Sequence, residues 1–334
     1  MFFFSLFAFS FLWAQNPFVF GNGFGKINGL NLVSMDRLLD TSEIHPISAI
    51  NANWAAVIPY GFVPGLHDPG LIFETEWQWI GERIPGVEAA SRRLHSRGIH
   101  VMLKPQLWIG HGEFSGDLSM NSEEDWQQFE ARYMDYILSY ASIAKNERIE
   151  MLCIGTEMKL FVQARPEFWQ RLIKAVRSIY RGKITYAENW DAYAEVPFWK
   201  QVDFIGIDAY FPLAKGEHPK PKKLLASWKL IRDELSAFSE IHDRKVLFTE
   251  YGYRSIPGCA EAPWDYSACE EQSEKSQYDA LSALYEAVWN EPFMQGGFLW
   301  KWHPNHGRSK HPDRDHFTVQ NKKSEELVRE VYGR

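Results

Sequence analysis

Short apolar, β-branched runs alternate along this chain with stretches whose apolar positions recur every three to four residues. The runs cover residues 27–34, 54–60, 99–108, 149–157, 183–190, 202–210, 245–251 and 296–302, and each reads as a strand. The intervening residues 126–144, 167–180, 222–239 and 276–289 carry the helical period. Gly98 and Gly182 each follow a basic helical turn and precede a strand by one residue, the place of a C-cap glycine. Ser122 and Asp125 make a capping-box-like start ahead of Trp126. Eight strands alternating with helices predict an α/β chain folded as one (β/α)8 TIM barrel, with residues 15–334 as its single domain. A doubly wound open sheet alternates in the same way, so counting alone leaves both architectures standing. Only 11 residues, 191–201, separate the fifth and sixth runs, room for one short helix at most. Gly21, Gly23 and Gly25 precede a strand instead of following one, which is the wrong order for a nucleotide-binding turn.

Composition narrows the partner. Lys and Arg number 36 against 43 Asp and Glu, a net charge of −7 with no basic run, which excludes binding to nucleic acid phosphates. With 45% hydrophobic and 24% charged residues the chain is no disordered segment. Aromatic residues reach 15%, including 14 Trp. Much of that is core material, and Trp in loops is also what sugar-binding clefts use. The apolar run of residues 2–14 is too short to span a bilayer and fits the hydrophobic region of a signal peptide, although no Lys or Arg precedes Lys26. Residues 1–14 are therefore expected to be a signal peptide, and the mature chain to be exported without stable membrane association. Cys259 and Cys269 flank a polar loop and either close a disulfide or stay as thiols, while Cys153 sits in an apolar run.

In a (β/α)8 barrel the reactive residues sit at the C-terminal ends of the strands. Those ends hold Asn31, Tyr60, Lys104, Trp108, Glu157, Asn189, Trp190, Asp208, Tyr210, Glu250, Tyr251, Trp300 and Trp302. The fourth and seventh runs each close on a single Glu, in IEMLCIGTE and KVLFTE. A carboxylate at the close of a buried strand costs free energy unless it is paired or functional. Across a barrel mouth, two carboxyls separated by about 5–5.5 Å form the acid/base and nucleophile of a retaining glycosidase. The alternative is that each Glu pairs with a strand-end cation such as Lys104 or Arg254.

Five segments in order, HVMLKPQLW, CIGTEM, FIGIDAYFPL, LFTEYGYRS and GGFLWKW, resemble a clan A glycoside hydrolase and more narrowly glycoside hydrolase family 113. That family's characterised members are chiefly β-1,4-mannanases. The segments run from His100 to Trp302, with a further similarity at DHFTVQNKKSEEL. The resemblance implies that Glu157 is the general acid/base, Glu250 the nucleophile, Tyr210 a donor to Glu250, and Trp300 the platform beneath the sugar at the cleaved bond. Lys104, Asn189 and Asp208 would meet sugar hydroxyls, and Trp108, Trp190 and Trp302 join the expected substrate contacts. Two departures stand out: Thr156 takes the place of the Asn that many clan A families carry before the acid/base, and the second run, WAAVIPY, lacks their Arg.

The implied activity is an endo-β-1,4-mannanase acting as a monomer on a polysaccharide or oligosaccharide, with neither cofactor nor metal. An exo-β-mannosidase or another β-1,4-glycanase would use the same pair, and a non-catalytic glycan-binding barrel would keep the Trp platform. A serine hydrolase is excluded by the lack of a GxSxG elbow. His303, His306, His311 and His316 lie in one loop without metal-ligand spacing. Trp77, Trp79 and Trp126 are expected to pack at helix starts, and Trp169, Trp228 and Trp289 between helices and barrel. Trp264 stands evenly between lining the cleft and packing.

Overall fold

The computed structural model describes residues 25–267, 269–305 and 316–334. The expected signal segment, residues 1–14, lies outside the described residues, as do His306 and His311. Eight parallel strands close into a barrel: β1 (Ile27–Leu32), β2 (Trp54–Val57), β3 (His100–Leu103), β4 (Met151–Thr156), β5 (Lys183–Asn189), β6 (Phe204–Asp208), β7 (Val246–Tyr251) and β8 (Met294–Trp302). Each pairs with its sequence neighbours, and β8 closes against β1. The open doubly wound sheet is thereby excluded.

Side chains alternate between two buried layers. Trp54, Ala56, Met102, Met151, Cys153, Leu247 and Phe298 fill the barrel interior. Their strand neighbours Ala55, Val57, Val101, Leu103, Leu152 and Ile154 face the surrounding helices. The long helix Glu123–Asn146 shows how a helix meets that outer layer. Ser122 caps it by accepting a hydrogen bond from the Asp125 backbone at 3.1 Å, and Trp126, Phe129, Tyr133, Ile137, Tyr140 and Ala144 repeat along its buried face. Gly98 adopts φ +72°, the left-handed position expected after its helix. Gly182 does not adopt that conformation. The Tyr180 ring folds back over it, and a Cβ there would lie 2.0 Å from the Tyr180 hydroxyl. Between β5 and β6 the chain makes only two 3-10 turns, Tyr193–Glu195 and Trp199–Gln201.

The runs at 54–60 and 99–108 are each broken by a proline, Pro59 and Pro105. Proline lacks the N–H that a ladder needs. Both chains leave the barrel there and pair again outside it, as a small parallel sheet of Tyr60–Val63 and Gln106–Ile109. This sheet continues β2 and β3 beyond the C-terminal mouth of the barrel.

Candidate active site

Glu157 immediately follows β4, in a left-handed conformation with φ +51°. A side chain with a Cβ is strained there by about 1–2 kcal/mol, so its surroundings must hold it. They do so on three sides. The Glu157 N–H donates to the Ala187 carbonyl at 2.8 Å, the Met158 N–H to the Tyr186 hydroxyl at 2.9 Å, and the Ser115 hydroxyl to the Glu157 carbonyl at 3.2 Å. Tyr186 in turn donates to the buried Glu188 carboxylate at 2.9 Å. A register shift between Cys153 and Thr156 precedes the turn. Desolvation, followed by the charges of Asp208 and Glu250, raises the Glu157 carboxyl well above the ordinary glutamate value.

Glu250 reaches the same region from β7. One extra residue in β7, against Ile207 and Asp208 of β6, brings Glu250 level with Asp208. Its Oε1 accepts from the Lys104 ammonium at 2.5 Å and from Gln106 Nε2 at 3.0 Å, and its Oε2 accepts from the Tyr210 hydroxyl at 2.8 Å. Three donors converging on one carboxyl suit an acceptor-only, ionised group. The two glutamates thus occupy opposite environments: burial and negative neighbours favour the protonated form of one, and the other is surrounded by donors. Opposed environments of this kind divide a pair of carboxyls into acid and nucleophile.

Lys104 and Asp208 were expected to touch sugar. Both side chains are instead wholly buried beneath Glu250. Their parity explains it, because Lys104 follows the inward Met102 by two residues and Asp208 likewise continues the inward set of β6. Lys104 Nζ stands 3.3 Å and 3.4 Å from the two Asp208 oxygens, and Thr249 Oγ1 donates to Asp208 Oδ1 at 2.7 Å. Burial opposes the Lys104 charge, but Asp208 and Glu250 together more than offset it, so the ammonium is held above its ordinary value. One cation serves two carboxylates and sits nearer Glu250. Asp208, desolvated and facing the Glu250 charge, is pushed up to about 7. The cation pair weighed as an alternative for Glu250 is therefore present, and it coexists with the donor set around that carboxylate. Arg254 points elsewhere, to the Asp265 and Ser267 carbonyls.

Trp300 is half-buried and borders a cavity of about 320 Å³ at the barrel mouth, which Asn31, Tyr60, Phe62, Trp79, Glu82 and Trp108 also line. Trp108 is 54% exposed and Trp79 is 52% exposed. Trp79 was expected to pack at a helix start; it stands open on the cavity wall. Trp77 is also exposed, edge-on to Phe62, whereas Trp126 packs as expected. Trp302, expected to meet substrate, is fully buried in the outer core layer: it shares the parity of Phe298 and Trp300, but an extra residue in β8 between Leu299 and Trp302 resets the alternation and turns it away from the mouth. Trp190 and Trp264 stack on each other at 5.1 Å, and Asn189 is half-buried with its Oδ1 accepting from the Trp190 N–H. Gln106, Thr249 and Glu188 escaped the sequence reading. Gln106 was within reach of it, two residues beyond Lys104 and therefore on the same face.

The model of Glycoside Hydrolase Family 113 matches residues 41–322. No curated protein matches the chain. Among solved structures, a GH113 β-mannanase, AaManA from Alicyclobacillus acidocaldarius in complex with ManMIm, superposes with a TM-score of 0.81 at 23% identity, covering 93% of this chain and 98% of that one. Another GH113 β-1,4-mannanase superposes at 0.80 with 20% identity, covering 93% and 99%. A β-glucuronidase from Ruminococcus gnavus reaches 0.61 at 14% identity over 92% of this chain and 49% of that one. At these identities the likenesses speak to the fold.

Proposed function

The chain belongs to glycoside hydrolase family 113, and from that premise we propose that it is a retaining endo-β-1,4-mannanase. One observation carries the mechanism: the protonated environment of Glu157 stands opposite the three-donor environment of Glu250. In the first step a Glu250 oxygen attacks the anomeric carbon while Glu157 gives its proton to the departing glycosidic oxygen. The C–O bond to the leaving sugar breaks, and an ester bond to Glu250 forms. In the second step the Glu157 carboxylate takes a proton from water, whose oxygen attacks the anomeric carbon and frees Glu250. Two inversions return the starting β configuration. Tyr210 and Gln106 orient the nucleophile, and Trp300 offers its indole to the apolar C–H face of the ring.

The test is product analysis together with stereochemistry. Purified enzyme incubated with β-1,4-mannohexaose should release internal fragments whose first-formed reducing ends are β by proton NMR. Cellohexaose and xylohexaose serve as comparisons. First-formed α ends would replace double displacement with single inversion. Release of mannose one unit at a time would turn the assignment to an exo-mannosidase. The apolar run at residues 2–14 supports an exported enzyme, which N-terminal sequencing of the mature protein from the medium or periplasm checks.

A further inference from the structure

Glu188 lies at the end of β5 with 1% of its surface exposed, and neither step of the proposed reaction uses it. Residues two apart on a strand share a face, so Glu188 follows Tyr186 toward the helices and away from the barrel interior. Trp169, Phe198 and Trp199 surround the Tyr186 ring there, at centroid distances of 5.1, 5.4 and 6.1 Å. A carboxyl in such a layer costs free energy unless it is paired or functional. The hydrogen-bond partners of Glu188 are two neutral donors and not a cation. Its Oε2 accepts from the Tyr186 hydroxyl and its Oε1 from the Asn189 N–H, both at 2.9 Å. Burial pushes the carboxyl up to about 7, which marks a group kept where it is poorly solvated.

What those two bonds hold lies on either side of the acid. The Tyr186 hydroxyl accepts from the N–H of Met158, the residue directly after Glu157, at 2.9 Å. Glu157 has φ +51°, and the peptide that joins it to Met158 sets the direction in which the chain leaves β4. A phenol carries one hydrogen and spare lone pairs. With its hydrogen engaged by Glu188, Tyr186 turns a lone pair to the Met158 N–H. Gly155 permits the approach, since a Cβ there would stand 2.9 Å from the Tyr186 ring. The second bond fixes Asn189, whose Oδ1 accepts from the Trp190 N–H at 2.9 Å. One carboxylate therefore ties the turn after β4 to the start of the loop after β5.

Resting on the proposed mannanase reading, in which Glu157 is the acid, we propose that Glu188 is a positioning residue for that acid: it orients the Tyr186 hydroxyl, which holds the Met158 N–H and with it the left-handed turn from which the Glu157 carboxyl projects. Proton donation depends on such placement, because an offset of about 1 Å lowers a rate by as much as about 10²-fold. Glu188 meets neither substrate nor Glu157 through these bonds, so its whole effect passes through Tyr186 and the backbone of the turn.

The experiment separates placement of the acid from general damage. For wild type, Tyr186→Phe, Glu188→Ala, Glu188→Gln and Glu157→Ala, kcat/KM is measured on mannotetraose, whose leaving sugar needs a proton, and on 2,4-dinitrophenyl β-mannoside, whose leaving group departs without one. The ratio of the first value to the second reports the acid alone, because a loss that is merely structural lowers both. Glu157→Ala sets the full fall in that ratio. Tyr186→Phe and Glu188→Ala should each lower it by about tenfold. Glu188→Gln should return to within about threefold of wild type, since its amide oxygen still accepts from the Tyr186 hydroxyl. Turnover of the aryl mannoside and thermal melts show that each variant is folded. Ratios within about twofold of wild type for Tyr186→Phe and Glu188→Ala, beside a large fall for Glu157→Ala, would overturn the positioning role and leave the acid in place. A Glu188→Gln ratio as low as that of Glu188→Ala would overturn it too, because charge and not the hydrogen bond would then be what counts. An unchanged ratio for Glu157→Ala, or a wild type inert on mannotetraose, would overturn the mannanase reading and the proposal with it.

Discussion

Replacing Lys104 by Met removes the buried cation that, among the described residues, balances Asp208 and Glu250 from below. The ammonium has no exposed surface, so its interactions are unscreened, and it stands 2.5 Å from Glu250 and 3.3 Å from Asp208. Breaking a buried pair by deleting one partner typically costs about 3–5 kcal/mol, because the surviving charge is left uncompensated. Here two carboxylates survive. Gln106, Tyr210 and Thr249 still donate to them, and either can take up a proton, so the loss should stay within that range. For a domain of this size it corresponds to a melting point lower by on the order of 10 °C.

The pH dependence is the sharper test. Asp208 already has a folded-state value of about 7 against 3.8 for an ordinary aspartate, so the folded form binds the proton more tightly. Its contribution to stability is complete below the unfolded value and is lost as pH rises through the folded one. Without Lys104 that loss deepens and extends to higher pH. Urea denaturation at pH 5 and pH 8 should therefore find Lys104→Met more damaging at pH 8. Adding Asp208→Asn should recover about 1–3 kcal/mol at pH 8, the coupling expected of residues in contact. A loss below about 1 kcal/mol that is equal at both pH values would refute the assigned role of Lys104.

The other predictions concern the acid and the barrel floor. Glu157→Ala should lower kcat on mannan oligomers by about 10²–10⁴-fold, with a smaller loss on aryl mannosides whose leaving group needs little protonation; equal losses on both would remove its role as acid. Because Glu157, as the proposed acid, must carry a proton and is held well above the ordinary glutamate value, kcat/KM should fall as pH rises on a limb displaced upward from 4.5, and Asp208→Asn should move that limb down. Glu150 accepts from His95, His100 and the Val101 N–H and is lowered to about 2. Its contribution is present above the unfolded value and lost as pH falls toward 2, so Glu150→Gln should cost about 1–2 kcal/mol at pH 6 and progressively less toward pH 3 in urea titrations.

Strand positions were legible because a buried parallel strand is apolar on both faces, and each of the eight runs became a barrel strand. Where two of them ended was also written in the chain, as Pro59 and Pro105, but a proline marks the break and not the second pairing beyond it. The small sheet forms only because β2 and β3 are neighbours, which is a tertiary fact. Depth at the mouth was harder to read. Lys104, Asp208 and Trp302 all sit at strand ends, and strand-end position alone does not say whether a side chain tops the barrel, plugs it or turns outward. Parity settles most cases, as Gln106 illustrates. It fails at Glu250 and Trp302, where an extra residue in β7 and in β8 resets the alternation, and at Glu157, where a left-handed residue turns the chain. None of these three positions is itself a glycine, so the pattern of apolar residues does not announce them.

The second strand's missing Arg gives these buried charges a common logic. A guanidinium stays charged in almost any surroundings, whereas an ammonium removed from water readily gives up its proton. The cation that reaches Glu250 here is a lysine following β3 with no contact with solvent, and burial opposes its charge while Asp208 and Glu250 favour it. The place of Asp208 beside Lys104 also has an effect across the mouth, because after desolvation its charge is the foremost influence raising Glu157. On the proposed mechanism, a single buried aspartate thereby helps hold the cation beside Glu250 charged and favours the protonated form of Glu157. Replacing Lys104 by Arg tests this dependence: a permanently charged partner, if accommodated, should make Glu250 less sensitive to Asp208→Asn. The loss of kcat/KM caused by Asp208→Asn should then be smaller in the Lys104→Arg background than in wild type. Equal losses in both backgrounds would show that Asp208 does not act on Glu250 through Lys104.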